Sequence, residues 1–235
     1  MVESKGSKEI AKAMELWVTY RLEGSSEFDT EILRHLNSAI ELGLDTADEA
    51  RARRERGEIY LSQGHLSEAE VDLKKALELN NQSEEKMFSS EISGTWRNLS
   101  TLHMERGNRA QAIKCLEEGI KQLKDEYNQE DPEMLKWELV SLHRALAVKY
   151  WGHDNAQALL IYQLALEIDP LNPPLHLLLG DFYCSEKVSP EFYNLQKAIE
   201  HWEQYLALEK EDSTVDRKQK ERVQKNLEIL KKATK

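Results

Sequence analysis

Apolar and small residues recur at intervals of three and four along "RGEIYLSQGHLSEAEVDLKKALELN", residues 56–80. Gly57 is followed by Tyr60, and beyond Gly64 come Ala69, Leu73, Ala76 and Leu77. Such spacing lines one face of an α-helix, and a glycine between two runs of this kind marks a turn. The stretch therefore predicts two amphipathic helices folded back on one another. Gly57, Ala69 and Ala76 are small enough to let the helices approach closely, while Tyr60 and Leu73 fill the space between them.

The pattern recurs downstream. "TWRNLSTLHMERGNRAQAIKCLEEGI" places Trp96, Leu99, Gly107, Ala112, Leu116 and Gly119 at matching offsets. "LAVKYWGHDNAQALLIYQLALEIDP" supplies Leu146, Ala147, Tyr150, Ala158, Tyr162, Ala165 and Pro170, with a turn one residue shorter. A fourth copy runs through Leu179, Gly180 and Tyr183 to Ala198, Trp202 and Tyr205, with a longer turn. Each helix pair leaves an apolar flank that only the next pair can cover, so stability passes from neighbour to neighbour and the ends need polar caps.

These segments resemble the tetratricopeptide repeat, a helix-turn-helix unit with a W-x2-L-G-x2-Y, A-x3-F and P pattern. The resemblance implies an all-α fold, a right-handed superhelical array of antiparallel helix pairs. Four repeats are expected, at 50–92, 93–139, 140–172 and 173–211. Residues 1–49 then form a degenerate N-terminal unit with helices at 7–22 and 28–43, and 212–235 a C-terminal capping helix. The stretches 81–92 and 124–133 are expected as loose loops between units. Asp131 reads as an N-cap with Pro132 in the first turn, and Ser189-Pro190-Glu191 as a further helix start inside the fourth unit.

Composition narrows the function classes. The 235 residues carry a formal net charge of -11, which argues against direct nucleic-acid binding because a phosphate backbone needs a basic surface. No apolar run is long enough to insert into a membrane, and the first residues lack a signal-peptide core. A cytoplasmic location is expected, with the nucleus as the alternative. Cys115 and Cys184 have no CxxC partner spacing and read as packed thiols. The histidines (His35, His65, His103, His143, His153, His176 and His201) are scattered, without metal-ligand spacing. With no nucleophile elbow, phosphate-cradling glycine loop or HExxH motif, no catalytic residue, metal or cofactor is expected.

What remains is a groove. In tetratricopeptide arrays the first helix of each pair lines the concave face, and the resemblance assigns five positions per helix to it. The candidates carried over are Arg51 and Arg54; Arg97, Asn98, Thr101 and Met104; Arg144, Val148 and Trp151; and Leu177 and Asp181. Arg54, Arg97 and Arg144 share one repeat position, forming a ladder that would pair with carboxylates of a partly acidic partner. Glu55 and Glu58 nearby would offset that charge. The carboxylate clamp of chaperone adaptors is matched only by Arg54 and Asn98, since Glu58 replaces an expected Asn and Ser141 and Ala145 replace a basic pair. The function expected is an adaptor or scaffold, chaperone-like in its mode, binding a protein segment in the groove. The alternative is a structural subunit assembled through the convex face and the C-terminal helix, using Val223, Leu227 and Leu230. An uncovered apolar flank at either end leaves room for self-association.

Overall fold

The computed structural model describes residues 5, 6, 8–13, 15, 29–126, 132–208 and 217–233. Among them every regular element is an α-helix, and the chain divides into two units, Met1–Tyr127 and Asn128–Lys235. The expected N-cap Asp131 and most of the expected helix at 7–22 lie outside the described residues.

In the first unit, α1 (Asp29–Leu42) lies on α2 (Thr46–Ser62), which pairs with α3 (Leu66–Gln82). Helix α4 (Ser89–Glu105) pairs with α5 (Arg109–Glu126) and touches α3. The close approaches fall on the small residues. A Cβ at Gly57 would stand 2.9 Å from Leu73 Cγ, and one at Gly119 2.8 Å from Trp96 Cβ. Ala69 and Ala76 are fully buried. Ala13 joins Ile32, Leu36, Ala52 and Ile59 in one cluster, so the N-terminal residues share the core of the α1–α2 layer.

Asp72 on α3 is buried and takes two bonds from Arg56 (2.6 and 2.8 Å) and one from Arg53 (3.0 Å), both on α2. Arg56 also reaches Asn37 of α1 (2.6 Å), so one carboxylate organises three helices.

In the second unit, α6 (Pro132–Tyr150) pairs with α7 (Asn155–Ile168), and α8 (Pro173–Tyr183) pairs with α9 (Leu195–Leu208). Helix α10 (Arg217–Ala233) packs on α9. A Cβ at Gly180 would collide with the Trp202 ring, and its absence is how a fully buried Trp fits between α8 and α9.

The turn chemistry repeats as well. Gly64, Gly107 and Gly152, each between the two helices of a pair, have positive φ (77°, 73° and 81°), a conformation that glycine adopts without steric cost. The caps are local. Asp45, Asp154 and Asn172 each accept from the backbone N–H three residues on, at the starts of α2, α7 and α8, which satisfies donors that a helix start leaves open.

Two local expectations differ from the structure. Half of the stretch 81–92 is helical: α3 runs to Gln82 and α4 starts at Ser89, leaving 83–88 between them. Between them Lys86 Nζ binds the carbonyls of Asn80 (2.8 Å) and Asn81 (3.1 Å), and Met87 N–H donates to Asn80 Oδ1 (2.6 Å). Ser189-Pro190-Glu191 forms a turn rather than a helix start. Phe192 N–H bonds Ser189 O (2.9 Å), and α9 begins at Leu195 with Asn194 Oδ1 accepting from Lys197 N–H (3.0 Å).

A histidine pair joins α8 to α9. His176 Nε2 lies 3.0 Å from Pro170 O, and its Nδ1 3.0 Å from His201 Nδ1. The two Nδ1 atoms face each other, so only one of them carries the proton shared between the rings. Burial and the neighbouring His176 push His201 down to about 4, against the weaker pull of Glu200. The unfolded chain therefore binds this proton near pH 6.5 and the folded chain only near pH 4. Stability is complete above pH 6.5 and is lost as pH falls toward 4. Solvent screening reduces the loss to on the order of 1–2 kcal/mol. Urea midpoints for the wild type and His201→Gln at pH 7 and pH 4.5 measure it. The wild type should lose more stability than the variant; equal losses would remove His201 as the source.

Candidate functional site

The residues expected to line a groove fall in both units. On α2, Arg51 and Arg54 both approach Glu91, in the first turn of α4 (3.8 and 3.5 Å). Arg51 also pairs with Glu85 (3.1 Å), and Arg54 with the adjacent buried Glu55 and with Glu58 (3.6 Å). Three carboxylates of the same unit thus surround the Arg54 guanidinium and offset its charge. On α4, Arg97 and Thr101 are exposed, while Asn98 and Met104 are half-buried. Arg144, the third ladder position, is half-buried and belongs to the second unit.

The second unit brings three of the candidates together. Val148 near the end of α6, Trp151 just past it and Asp181 on α8 line one cavity of about 420 Å³, within the range typical of ligand pockets. Trp202 of α9 and Cys184 after α8 add apolar wall, Lys187 comes from the following turn, and Arg222 and Asn226 come from α10. Arg222 grips Asp181 bidentately (3.0 and 2.9 Å), and Trp202 Nε1–H donates to the same carboxylate (3.1 Å). The Asp181 charge is met inside the unit, and Val148, Trp151 and Trp202 make the apolar part of a wall that also carries Ser185, Lys187 and Asn226. Leu177 turns instead into the cluster of Ile199, Trp202, Tyr205, Val223 and Leu227.

Outside the cavity the same face of α6 exposes further apolar side chains, with the half-buried Arg144 among them. Residues 134, 137, 141, 144, 148 and 151 follow one another at steps of three and four, which places them on one side of the helix. Met134 is 48% exposed, Trp137 57% and Val148 44%, while Ser141 between them is buried. The exposure of Met134 and Trp137 was missed at the sequence level, although their spacing from Val148 was there to find. Arg222 was missed too, because nothing local names a partner on another helix.

Burial pushes both thiols up, Cys184 with help from Asp181. Neither is set up as a thiolate nucleophile. Among the described residues no three His, Cys, Asp or Glu side chains converge as metal ligands, and no helix is long and apolar enough to cross a membrane.

Residues 50–83, which span most of the α2–α3 pair, match the family model of the tetratricopeptide repeat. No curated protein matches the chain in sequence. Solved structures resemble it, three of them as follows. BtubC (BKLC) from P. vanneervenii is 16% identical with a TM-score of 0.61, covering 98% of this chain and 85% of that one. Pseudomonas aeruginosa PilF is 15% identical with a TM-score of 0.59, covering 88% and 79%. MamA is 16% identical with a TM-score of 0.52, covering 86% and 92%. At such identities the likeness is one of fold alone. The described residues form antiparallel α-helix pairs of the tetratricopeptide-repeat kind, and residues 50–83 are the unit that the family model matches.

Proposed function

We propose that the chain is a protein-recognition scaffold whose second unit seats a segment of a partner protein along α6 and α8. Tetratricopeptide repeats generally mediate protein–protein interaction, and the fold is typically a non-catalytic scaffold. The observation that carries the reading is the exposed stripe of Met134, Trp137 and Val148 leading to the Trp151–Trp202 cavity. Apolar contact of this kind supplies most of the affinity in peptide recognition, with aromatic anchors dominating. One large apolar side chain of the segment fills the cavity, and Lys187 at its edge meets a carboxylate. A carboxylate clamp forms no part of the proposal, because Glu55, Glu58 and Glu91 already hold Arg54.

The test is affinity purification with the wild type and with Trp137→Glu/Val148→Glu, whose changes are on the surface and should leave helical content intact. Segments mapped from proteins lost in the variant are then titrated as peptides. Binding weakened at least tenfold by the variant supports the reading. An unchanged partner list moves recognition off this face.

A second reading rests on α7, where Leu160 and Leu164, one turn apart, are exposed together with Leu171 just beyond the helix. A structural subunit would use that face in a fixed complex. It would not use Val223 and Leu227 of α10, which the sequence had offered for this role, because both are buried in the chain's own core. Leu160→Glu/Leu164→Glu would then break assembly while the α6 variant would not.

A further inference from the structure

Helix α10 carries seven basic and two acidic residues in a chain of net charge -11. Four of those basic residues already have partners. Arg222 holds Asp181, Arg217 holds Glu221, Lys231 holds Glu203, and Lys220 is also engaged. Lys218, Lys225 and Lys232 make no ion pair among the described residues, and all three are exposed. They are seven residues apart, so they stand above one another along a single face, roughly 10 Å between neighbours at 1.5 Å per residue. That face is opposite the one that buries Val223 and Leu227. Ile229, 55% exposed, sits between Lys225 and Lys232, and Glu228 at the edge of the stripe is unpaired among the described residues.

We propose that this outer face of α10 is a docking surface for an acidic amphipathic helix of a partner protein. Carboxylates repeating every seven residues on such a helix match the lysine spacing, as charged flanks do in paired helices. An apolar residue of the partner covers Ile229. Charge complementarity selects a short acidic helix over larger polyanions. A nucleic acid or an anionic membrane would also meet the field of the acidic remainder of the chain, which acts within a Debye length of about 8 Å at physiological salt. The surface adjoins Arg222 and Asn226, which border the α6–α8 cavity, but it uses neither of them nor any α6 residue. It also moves the cationic recognition that the sequence placed on Arg54, which the chain neutralises itself, to three lysines that are unpaired among the described residues.

The probe is a labelled, alanine-rich helical peptide with a Glu pair and one Leu in each seven-residue repeat, followed by fluorescence anisotropy against the full chain. Saturable binding that weakens steeply with added salt is expected. Lys218→Glu/Lys225→Glu/Lys232→Glu should cost at least tenfold with the circular dichroism spectrum unchanged, and Ile229→Ala a few-fold. Trp137→Glu/Val148→Glu should change nothing, which separates failure here from failure of the α6 proposal. The inference is overturned if the peptide does not bind, or if the triple lysine variant binds it as well as wild type. Equal competition by single-stranded DNA or by phosphatidylserine vesicles would make the stripe a general polyanion site and overturn it too. A dimer seen by ultracentrifugation and lost in the triple variant would assign the face to a second copy of this chain instead.

Discussion

Trp202→Ala should cost about 3–5 kcal/mol of stability, the range for removing a large buried aromatic side chain. Trp202 is fully buried at the crossing of α8 and α9, beside Ile199, Tyr205, Val223 and Leu227. Its indole N–H also helps hold Asp181. Removing it therefore empties the core of the second unit, loosens the Asp181–Arg222 pair and opens the cavity wall. Gly180 supplies the internal control. In the wild-type background Gly180→Ala drives a methyl into the Trp202 ring and should cost about 1–3 kcal/mol through overpacking. In the Trp202→Ala background the clash is gone, and the same change should be neutral or stabilising by up to about 1 kcal/mol, because alanine outdoes glycine inside a helix. A double-mutant cycle from urea unfolding of the full chain measures this reversal of sign. If Gly180→Ala costs the same in both backgrounds, the close packing of α8 on α9 is not what requires the glycine.

The second large effect lies in the first unit. Asp72→Ala should destabilise the chain by about 3 kcal/mol, because breaking a buried ion pair leaves charge without compensation. Asp72 is buried and engages both Arg53 and Arg56, and Arg56 continues to Asn37 on α1. Asp72→Asn keeps the shape and one acceptor oxygen but not the charge, so it should fall between wild type and Asp72→Ala. Urea midpoints for the three proteins give the ranking. A loss below about 1 kcal/mol for Asp72→Ala would mean that both guanidinium groups reach water once released, and that α1, α2 and α3 hold together without them.

How much of this was legible beforehand depends on the range of each interaction. The helix pairs were readable from the spacing around Gly57, Ala69 and Ala76. So were the turns at Gly64 and Gly107, because these features act within a few residues of their own position. The stretch 81–92 was misread for a related reason. Its polar composition resembles a loose loop, but Lys86 and Asn80 tie it down with bonds that composition does not disclose. The candidate site was legible in part. Val148, Trp151 and Asp181 were on the list and share a cavity, but the list also placed Leu177 there, which packs inward.

By itself the sequence determined an all-α chain with the apolar periodicity of tetratricopeptide repeats and with caps and turn glycines in place. Those properties follow from 3.6-residue geometry and from local hydrogen bonding. Only the tertiary structure decided which charges remain available. Arg54 and Lys225 look alike as exposed helix cations, yet one is surrounded by Glu55, Glu58 and Glu91 and the other is not paired among the described residues. Likewise Val223 and Leu227 fit either a core or an interface until α9 is seen to cover them. Helical periodicity specifies which residues share a face; what that face meets depends on where distant segments come to lie.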